Sequence, residues 1–486
     1  MGFFNIFAIV IYLSFFVFVI LLNGTGLVYA IASFFKRKVK LNKVTDNPKV
    51  GIVVVCRNEG QVLIKTIKHL LQTTYQNKGI VIGDDSNNNT YSLILKEFGL
   101  TPKFYEKTDN DGIIQIATNG LLTVIHREKN YKYKSGSLAI IHQYLKNQGI
   151  KYYAVFDADW KPQKDFIEKL LPYFYTYKNA GAVQFARLHL EKSSNLFSRT
   201  TSLSIETAYR VDLQGRSNLK TCCIFTGGSC LFKTSAISNS GGWYAESLTE
   251  DIELSMRLYL NGYKILYDKN VKSYGSETPN NFHDFAVQQS GWQRGAMDTA
   301  KRYVPSIINS NKMSFNEKVG AVYQSFIYLP YLLVLLFFLF SLVIDLLLLS
   351  HTLPSDIYLS LGLVGNLFYW VAFTIFLLDI FKVGISTIQG KENVLLVPFA
   401  VLLYWAIIPF GFWANLKSLL NTGWKRVTTP KTKNSIKKKA NYKIIYLLLF
   451  WMVSVVYIFE FFALGFKLNY YHVYLPLSLF MGLVLN

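Results

Sequence analysis

Cysteine is scarce: the 486 residues hold four, Cys56, Cys222, Cys223 and Cys230, with no Cys-x-x-Cys pair. That argues against a disulfide scaffold, no cysteine needs a metal to explain it, and a reduced compartment is the plain expectation. Acidic residues are also few, 30 against 51 Lys and Arg, so the formal charge is +21. No Gly-x-Gly-x-x-Gly and no P-loop is present, which leaves a dinucleotide enzyme or an NTPase without support. Apolar mass, by contrast, is abundant. Hydrophobic residues make up 51 % of the chain and aromatics 16 %, and mean hydropathy is positive. A disordered chain lacks that much apolar mass, and an ordinary soluble one lacks long uninterrupted apolar runs. The positive charge alone suits nucleic acid, anionic lipid or an anionic substrate. Its position along the chain decides between them.

The first apolar run, Phe3 to Phe35, holds no charged residue, and about 20 apolar residues cross a bilayer. No basic segment precedes it and it is too long for the core of a signal peptide. Lys36-Arg37-Lys38 follows, with Lys40 and Lys43 close behind. By the positive-inside rule this cluster stays cytoplasmic and the N-terminus points out. Residues 1–35 therefore read as a membrane anchor and 36–300 as a cytoplasmic domain, with 301–320 an interfacial connection. Residues 321–486 carry further apolar runs at about 321–350, 357–381, 394–420, 443–466 and 470–486. The loop 421–443 has eight Lys and Arg and no acid, so it too is expected in the cytoplasm. Three crossings between a cytoplasmic domain and a cytoplasmic loop do not close. The expected exception is 394–420, where Pro398 and Pro409 break the run into interfacial pieces. Two basic clusters beside membrane spans account for charge as topology and anionic-lipid contact more than as nucleic-acid binding.

In the soluble stretch, Val50 to Cys56 is a near-continuous apolar run, as a buried parallel strand should be. A helical stretch from Gly60 to Gln72 follows, then strand-like runs at Gly79–Gly83, Thr123–His126, Tyr152–Phe156 and Ala182–Phe185. Alternating strands and helices predict a Rossmann-like α/β sheet with its ligands at the carboxyl ends of the strands. Asp84-Asp85 and Asp157-Ala158-Asp159 fall at such ends. Two carboxylates one residue apart can hold a hard divalent cation and leave positions for phosphate oxygens, although Asp is also common in solvated turns. Thr249-Glu250-Asp251 precedes an amphipathic helix, so its acids suit either a capping box from Ser247 to Glu250 or a general base in a cleft. Gln288 and Trp292, four apart, share a helical face. There Trp292 suits a sugar-stacking surface or a membrane-interface anchor equally.

Taken in order, these segments resemble the membrane-embedded family 2 glycosyltransferases, the cellulose, hyaluronan, chitin and mannan synthases. Val54-Val55-Cys56-Arg57-Asn58-Glu59 is similar to the family's opening strand and turn, Gly83-Asp84-Asp85-Ser86 to its nucleotide-contacting pair, and Lys134-Ser135-Gly136 to its Lys-Ala-Gly loop. Asp157-Ala158-Asp159 matches its Asp-x-Asp. Phe225-Thr226-Gly227-Gly228-Ser229 resembles its acceptor loop. Gly241-Gly242-Trp243 followed by Thr249-Glu250-Asp251 is the most specific stretch, and Gln288 with Trp292 resembles Gln-x-x-Arg-Trp. The Arg of that motif is Gly291 here, with Arg294 a candidate substitute one turn on, and this weakens the inference of processive synthesis. Trp424, Thr429 and Lys431 resemble a gating loop with altered spacing, or else belong to a basic membrane-surface loop.

The resemblance implies a GT-A fold with an α-helical transmembrane domain. It makes Asp251 the general base of an inverting transfer and places Mg2+ or Mn2+ on Asp159 with Asp157. Asp84 and Asp85 would meet the nucleotide, Lys134 and Arg294 its diphosphate. Gly227, Gly228, Glu250, Gln288 and Trp292 would line the acceptor side. The implied donor is a UDP- or GDP-sugar and the acceptor a growing glycan, at the cytoplasmic face of a multi-pass protein of the plasma membrane in contact with its lipids. Single-sugar transfer to a lipid is the close alternative. A transporter should show ionisable residues mid-span, and the apolar runs have almost none. A nucleic-acid binder should show a basic stripe on the soluble domain, and no nucleic-acid partner is expected.

Overall fold

The computed structural model describes residues 17, 21–35, 39–189, 195–247, 249–275, 278–279, 281–329, 333 and 374–420. After a short apolar helix α1 (Leu21–Ala32), strand and helix alternate as β1 (Val50–Cys56), α2 (Gly60–Leu71), β2 (Lys78–Asp84) and α3 (Thr90–Phe98). A hairpin of β3 (Pro102–Thr108) and β4 (Gly112–Thr118) leads to β5 (Leu122–Arg127), α4 (Tyr133–Asn147), β6 (Tyr152–Asp157) and a short β7 (Trp160–Pro162). Next come α5 (Phe166–Thr176), β8 (Ala180–His189), α6 (Leu196–Thr207), a π-turn (Ala208–Leu213) and α7 (Gln214–Asn218). β9 (Cys230–Lys233), α8 (Thr234–Asn239), α9 (Glu250–Leu260), β10 (Lys264–Gly275) and the long α10 (Phe282–Ile308) follow. Beyond them lie α11 (Phe315–Phe326), α12 (374–390), α13 (Leu396–Ala406) and α14 (Ile408–Leu419).

The strands form one sheet in the order β3-β4-β5-β2-β1-β6-β9-β8-β10-β7. β5, β2, β1 and β6 run parallel, and β9 is inserted antiparallel between β6 and β8. Both faces are covered. Val53 and Val55 of β1 enter one apolar core, while Val50, Ile52 and Val54 enter the other. That two-sided burial is why β1 reads as an unbroken apolar run rather than an alternating one. All four cysteines are free and buried in these cores or at their rim.

Two expectations shift. Thr249, not Ser247, stands at the N-cap of α9, so no capping box forms; the Ser247 carbonyl instead accepts from Ser135 at 3.2 Å. α10 runs unbroken through residue 300, so the α/β domain and the connection after it share one helix. In the segment 394–420 the helix breaks at Ile407, where Pro409 opens α14, whereas Pro398 is absorbed in the first turn of α13. Leu396–Leu419 is the one stretch among the described residues long and apolar enough to cross a membrane, and 61 % of its apolar window is buried. The other expected spans lie wholly or largely outside the described residues.

Candidate active site

The carboxyl ends of β1, β2 and β6 open into a cleft of about 930 Å³. β6 delivers Asp157 to its floor. One carboxylate oxygen accepts from Lys134 Nζ at 2.6 Å and the other from Arg187 Nη2 at 2.7 Å. Lys134 also donates to the Gly227 carbonyl at 2.5 Å and lies 3.5 Å from Glu250 Oε1. A single ammonium thus gathers three segments far apart in sequence: the Asp-x-Asp turn, the 226–228 loop and the start of α9.

The loop that carries Lys134 is strained. Lys132 and Tyr133 both take left-handed backbone angles, φ 55° and 53°, a conformation that costs non-glycine residues of order 1 kcal/mol or more each. Arg127 holds it there. Its guanidinium, buried at the end of β5, donates to the carbonyls of Tyr131 (2.9 Å) and Tyr133 (3.0 Å) and grips Asp85 with two parallel bonds. Burial works against the Arg127 charge, but the Asp85 and Asp111 carboxylates outweigh it and keep the group protonated. Gly136 completes the loop: a Cβ there would stand 2.4 Å from the Tyr131 carbonyl oxygen.

Arg187, on β8, forms the opposite wall. It lies over the Trp160 ring at 3.9 Å and donates to the Thr226 carbonyl at 2.8 Å. Burial disfavours its charge, yet Tyr209, Asp157 and Asp159 raise its pKa overall. The loop beneath turns at Gly227, φ +82°. A Cβ added to Gly227 would stand 3.3 Å from Asp251 Oδ2, and one added to Gly228 3.3 Å from Asp157 Oδ2. Glycine therefore lets the backbone pass between the acid of α9 and the acid of β6. Asp251 sits in the first turn of α9, where the helix terminus favours a carboxylate.

Asp157, Asp159, Glu250 and Asp251 all line the cleft, against Lys134 and Arg187. Glu59, Asp85, Asp212 and Asp379 line it as well, as do Arg57, Arg216 and Lys382, so the cleft carries both signs of charge. Asp157 and Asp159 are hard oxygen donors of the kind Mg2+ and Mn2+ prefer. No cluster of three or more candidate protein ligands exists among the described residues.

Residues 154–485 match glycosyl transferase family group 2, and residues 51–241 match glycosyl transferase family 2. The chain belongs to glycosyl transferase family group 2. Among this glycosyltransferase's relatives, glucomannan 4-beta-mannosyltransferase 2 of Arabidopsis thaliana is 30 % identical over 204 residues, 41 % of this chain and 37 % of that one. Glucomannan 4-beta-mannosyltransferase 1 of Oryza sativa subsp. japonica is 28 % identical over 205 residues, 41 % of this chain and 38 % of that one. Across curated relatives of this kind the matched part is 37–55 % of their length. Among solved structures, the mannosyltransferase of Pyrobaculum calidifontis in complex with GDP-Man and Mn2+ superposes with a TM-score of 0.48 at 12 % identity, over 84 % of this chain and 99 % of that one.

The glycosyltransferase cleft gathers Asp85, Lys134, Asp157, Asp159, Gly227, Glu250, Asp251, Gln288 and Trp292. Gln288 Oε1 is buried with no hydrogen-bond partner among the described residues, leaving an acceptor for a ligand hydroxyl. Gly291 lines the cleft too, and a Cβ there meets nothing within 4 Å. Three residues named from the sequence do not line the cleft: Asp84, Arg294 and Gly228, the last of which backs onto Asp157. Asp84 is fully buried: one oxygen accepts from Ser86 at 2.6 Å and the other meets His126 Nδ1 at 2.7 Å, so Asp85 alone of the pair faces the cleft. Arg294 does not line the cleft, because two residues along a helix turn it some 200° from Trp292, and its Nε lies 3.7 Å from Asp298. Trp424, Thr429 and Lys431 lie outside the described residues. Sequence reasoning missed Arg127 and Arg187, although each is a charged residue within an otherwise largely buried strand, which was the available signal.

Proposed function

We propose that this glycosyltransferase moves a sugar, with inversion, from a nucleotide-diphosphate sugar to a growing glycan at the cytoplasmic face of the cell membrane and passes the product through its own spans. The relatives' names make a mannosyl donor such as GDP-mannose the first to test. The observation that carries the reading is the Gly227 turn, with Asp251 on one side and the Lys134–Asp157–Arg187 cluster on the other.

Asp251 takes the proton of the acceptor hydroxyl as that oxygen bonds to the anomeric carbon. On the opposite face the bond from the anomeric carbon to the diphosphate oxygen breaks, and the nucleoside diphosphate departs with the electron pair. Lys134 and Arg187 are fixed before the charge develops, so they stabilise it without reorganising. A divalent cation held by Asp159 and Asp157 would supply Lewis-acid neutralisation of the same diphosphate. Gln288 and Trp292 offer a hydrogen-bond acceptor and a stacking face to the acceptor sugar. A second reading, one sugar moved to a membrane lipid, is favoured by Gly291 in place of the arginine of the Gln-x-x-Arg-Trp pattern.

Membranes carrying the full chain, incubated with labelled GDP-mannose and Mn2+, should yield label in high-mass, alkali-stable material. Label confined to an organic-extractable lipid would select the second reading. Asp251→Asn should abolish transfer, a loss of about 10³-fold or more, while labelled donor still binds. Unchanged turnover would remove Asp251 as the base.

A further inference from the structure

α10 carries the acceptor-facing Gln288 and Trp292, and α9 carries Asp251. Transfer depends on the distance between them, since a misplacement of 1 Å can cost about 100-fold in rate. Tyr303 of α10 donates to Glu253 Oε1 of α9 further along, and nearest to Asp251 the two helices meet at Gly295. A Cβ on this residue would stand 2.1 Å from Thr249 Cγ2 and 2.5 Å from Thr249 Oγ1. The helix therefore rests on the residue that immediately precedes Glu250 and Asp251, with no side chain between. Thr249 is buried and its hydroxyl has no hydrogen-bond partner among the described residues, so packing rather than a polar contact seats it. Its carbonyl accepts from Glu253 at 3.2 Å, which joins it to the first turn of α9.

α10 has little room to retreat. Two residues before Gly295, on the far side of the helix, Gln293 abuts Gly411 of α14: a Cβ there would stand 2.0 Å from Gln293 Oε1. Lys301 Nζ donates to the Ser418 carbonyl at 2.8 Å and clamps the same two helices further along. Any atom added at Gly295 must then be absorbed by Thr249, and with it by the acids that follow.

We propose that Gly295 and Thr249 are positioning residues that set the separation between the acceptor face of α10 and the base Asp251. The inference rests on Asp251 being that base. Gly295→Ala in the full-length, detergent-solubilised protein should lower kcat for transfer about 10- to 100-fold while the affinity for labelled donor stays within twofold, because Lys134, Asp157 and Arg187 are untouched. Thr249→Gly removes all three atoms that the new Cβ would strike, Cγ2, Oγ1 and the Cβ at 2.8 Å, so Gly295→Ala/Thr249→Gly should recover most of the lost kcat. Thr249→Ala alone opens the same contact from the other side and should lower kcat with donor affinity retained; it keeps the test usable if Gly295→Ala does not fold. The proposal is overturned if Gly295→Ala keeps kcat within twofold, if its loss is shared equally by donor affinity, or if the double variant shows no recovery. It is likewise overturned if Thr249→Ala is silent. Asp251→Asn, run alongside, separates the two failures: if it is active, the assignment of the base is wrong, whereas an inactive Asp251→Asn beside a silent Gly295→Ala faults the packing argument alone.

Discussion

Arg187 shows how much of the site's chemistry depends on side-chain shape as well as charge. Its guanidinium sits over the Trp160 ring while one nitrogen holds Asp157 and another the Thr226 carbonyl. A lysine keeps the charge but has a single nitrogen, which cannot serve both partners and stack as well. Arg187→Lys should therefore lower kcat/KM for the donor about tenfold or more, equivalent to about 1.4 kcal/mol, and initial rates against donor concentration measure it. Equal kcat/KM would reduce Arg187 to a point charge. At this scale the sequence was informative about residue types and less so about direction. Asp157-Ala158-Asp159 was legible because an apolar strand ends on it. That Asp85 rather than Asp84 faces the cleft was not, since consecutive residues at a strand end point opposite ways and only the partners, here His126 and Arg127, decide which is used.

Elements read from periodicity were found where both faces are buried: β1, β2, β5, β6 and β8 all lie near their expected runs. The insertion of β9 between β6 and β8, and the pairing of β10 with β8, were not legible, because they join segments whose approach is set by the whole sheet. The docking of α1 has the same character. At Gly215 of α7 a Cβ would stand 2.1 Å from the Tyr29 carbonyl oxygen, so the two helices touch backbone to backbone. Arg216, beside it, lies between the Tyr29 and Tyr323 rings, and Asn218 Nδ2 donates to the Ala32 carbonyl at 2.7 Å. Backbone cannot give way as a flexible side chain can. Gly215→Ala should thus destabilise by about 1–3 kcal/mol through overpacking, outweighing a helix-propensity gain of about 1 kcal/mol. Thermal unfolding in detergent should show a lower Tm, and an unchanged or higher Tm would rule out close docking of α1 at this point.

For the whole molecule, the scarcity of cysteine and the excess of positive charge combine into a test of topology. Both basic clusters, 36–43 and 425–443, are expected on the cytoplasmic side, and for the second this requires that 394–420 not cross. The helix breaks at Ile407 and α14 packs on α10, yet Leu396–Leu419 is long and apolar enough to cross, so labelling decides. The native thiols should not interfere with labelling. All four are buried, and burial pushes those of Cys222 and Cys223 up to about 12, far from the thiolate form that reacts with maleimides. A cysteine introduced by Lys40→Cys or Lys438→Cys then reports alone. Both variants should resist a membrane-impermeant maleimide in intact cells and label once the membrane is opened. Labelling of Lys438→Cys in intact cells, with Lys40→Cys still protected, would place the loop outside. In that case 394–420 crosses, and the catalytic cleft sits on a bundle with one more span than the charge pattern implies.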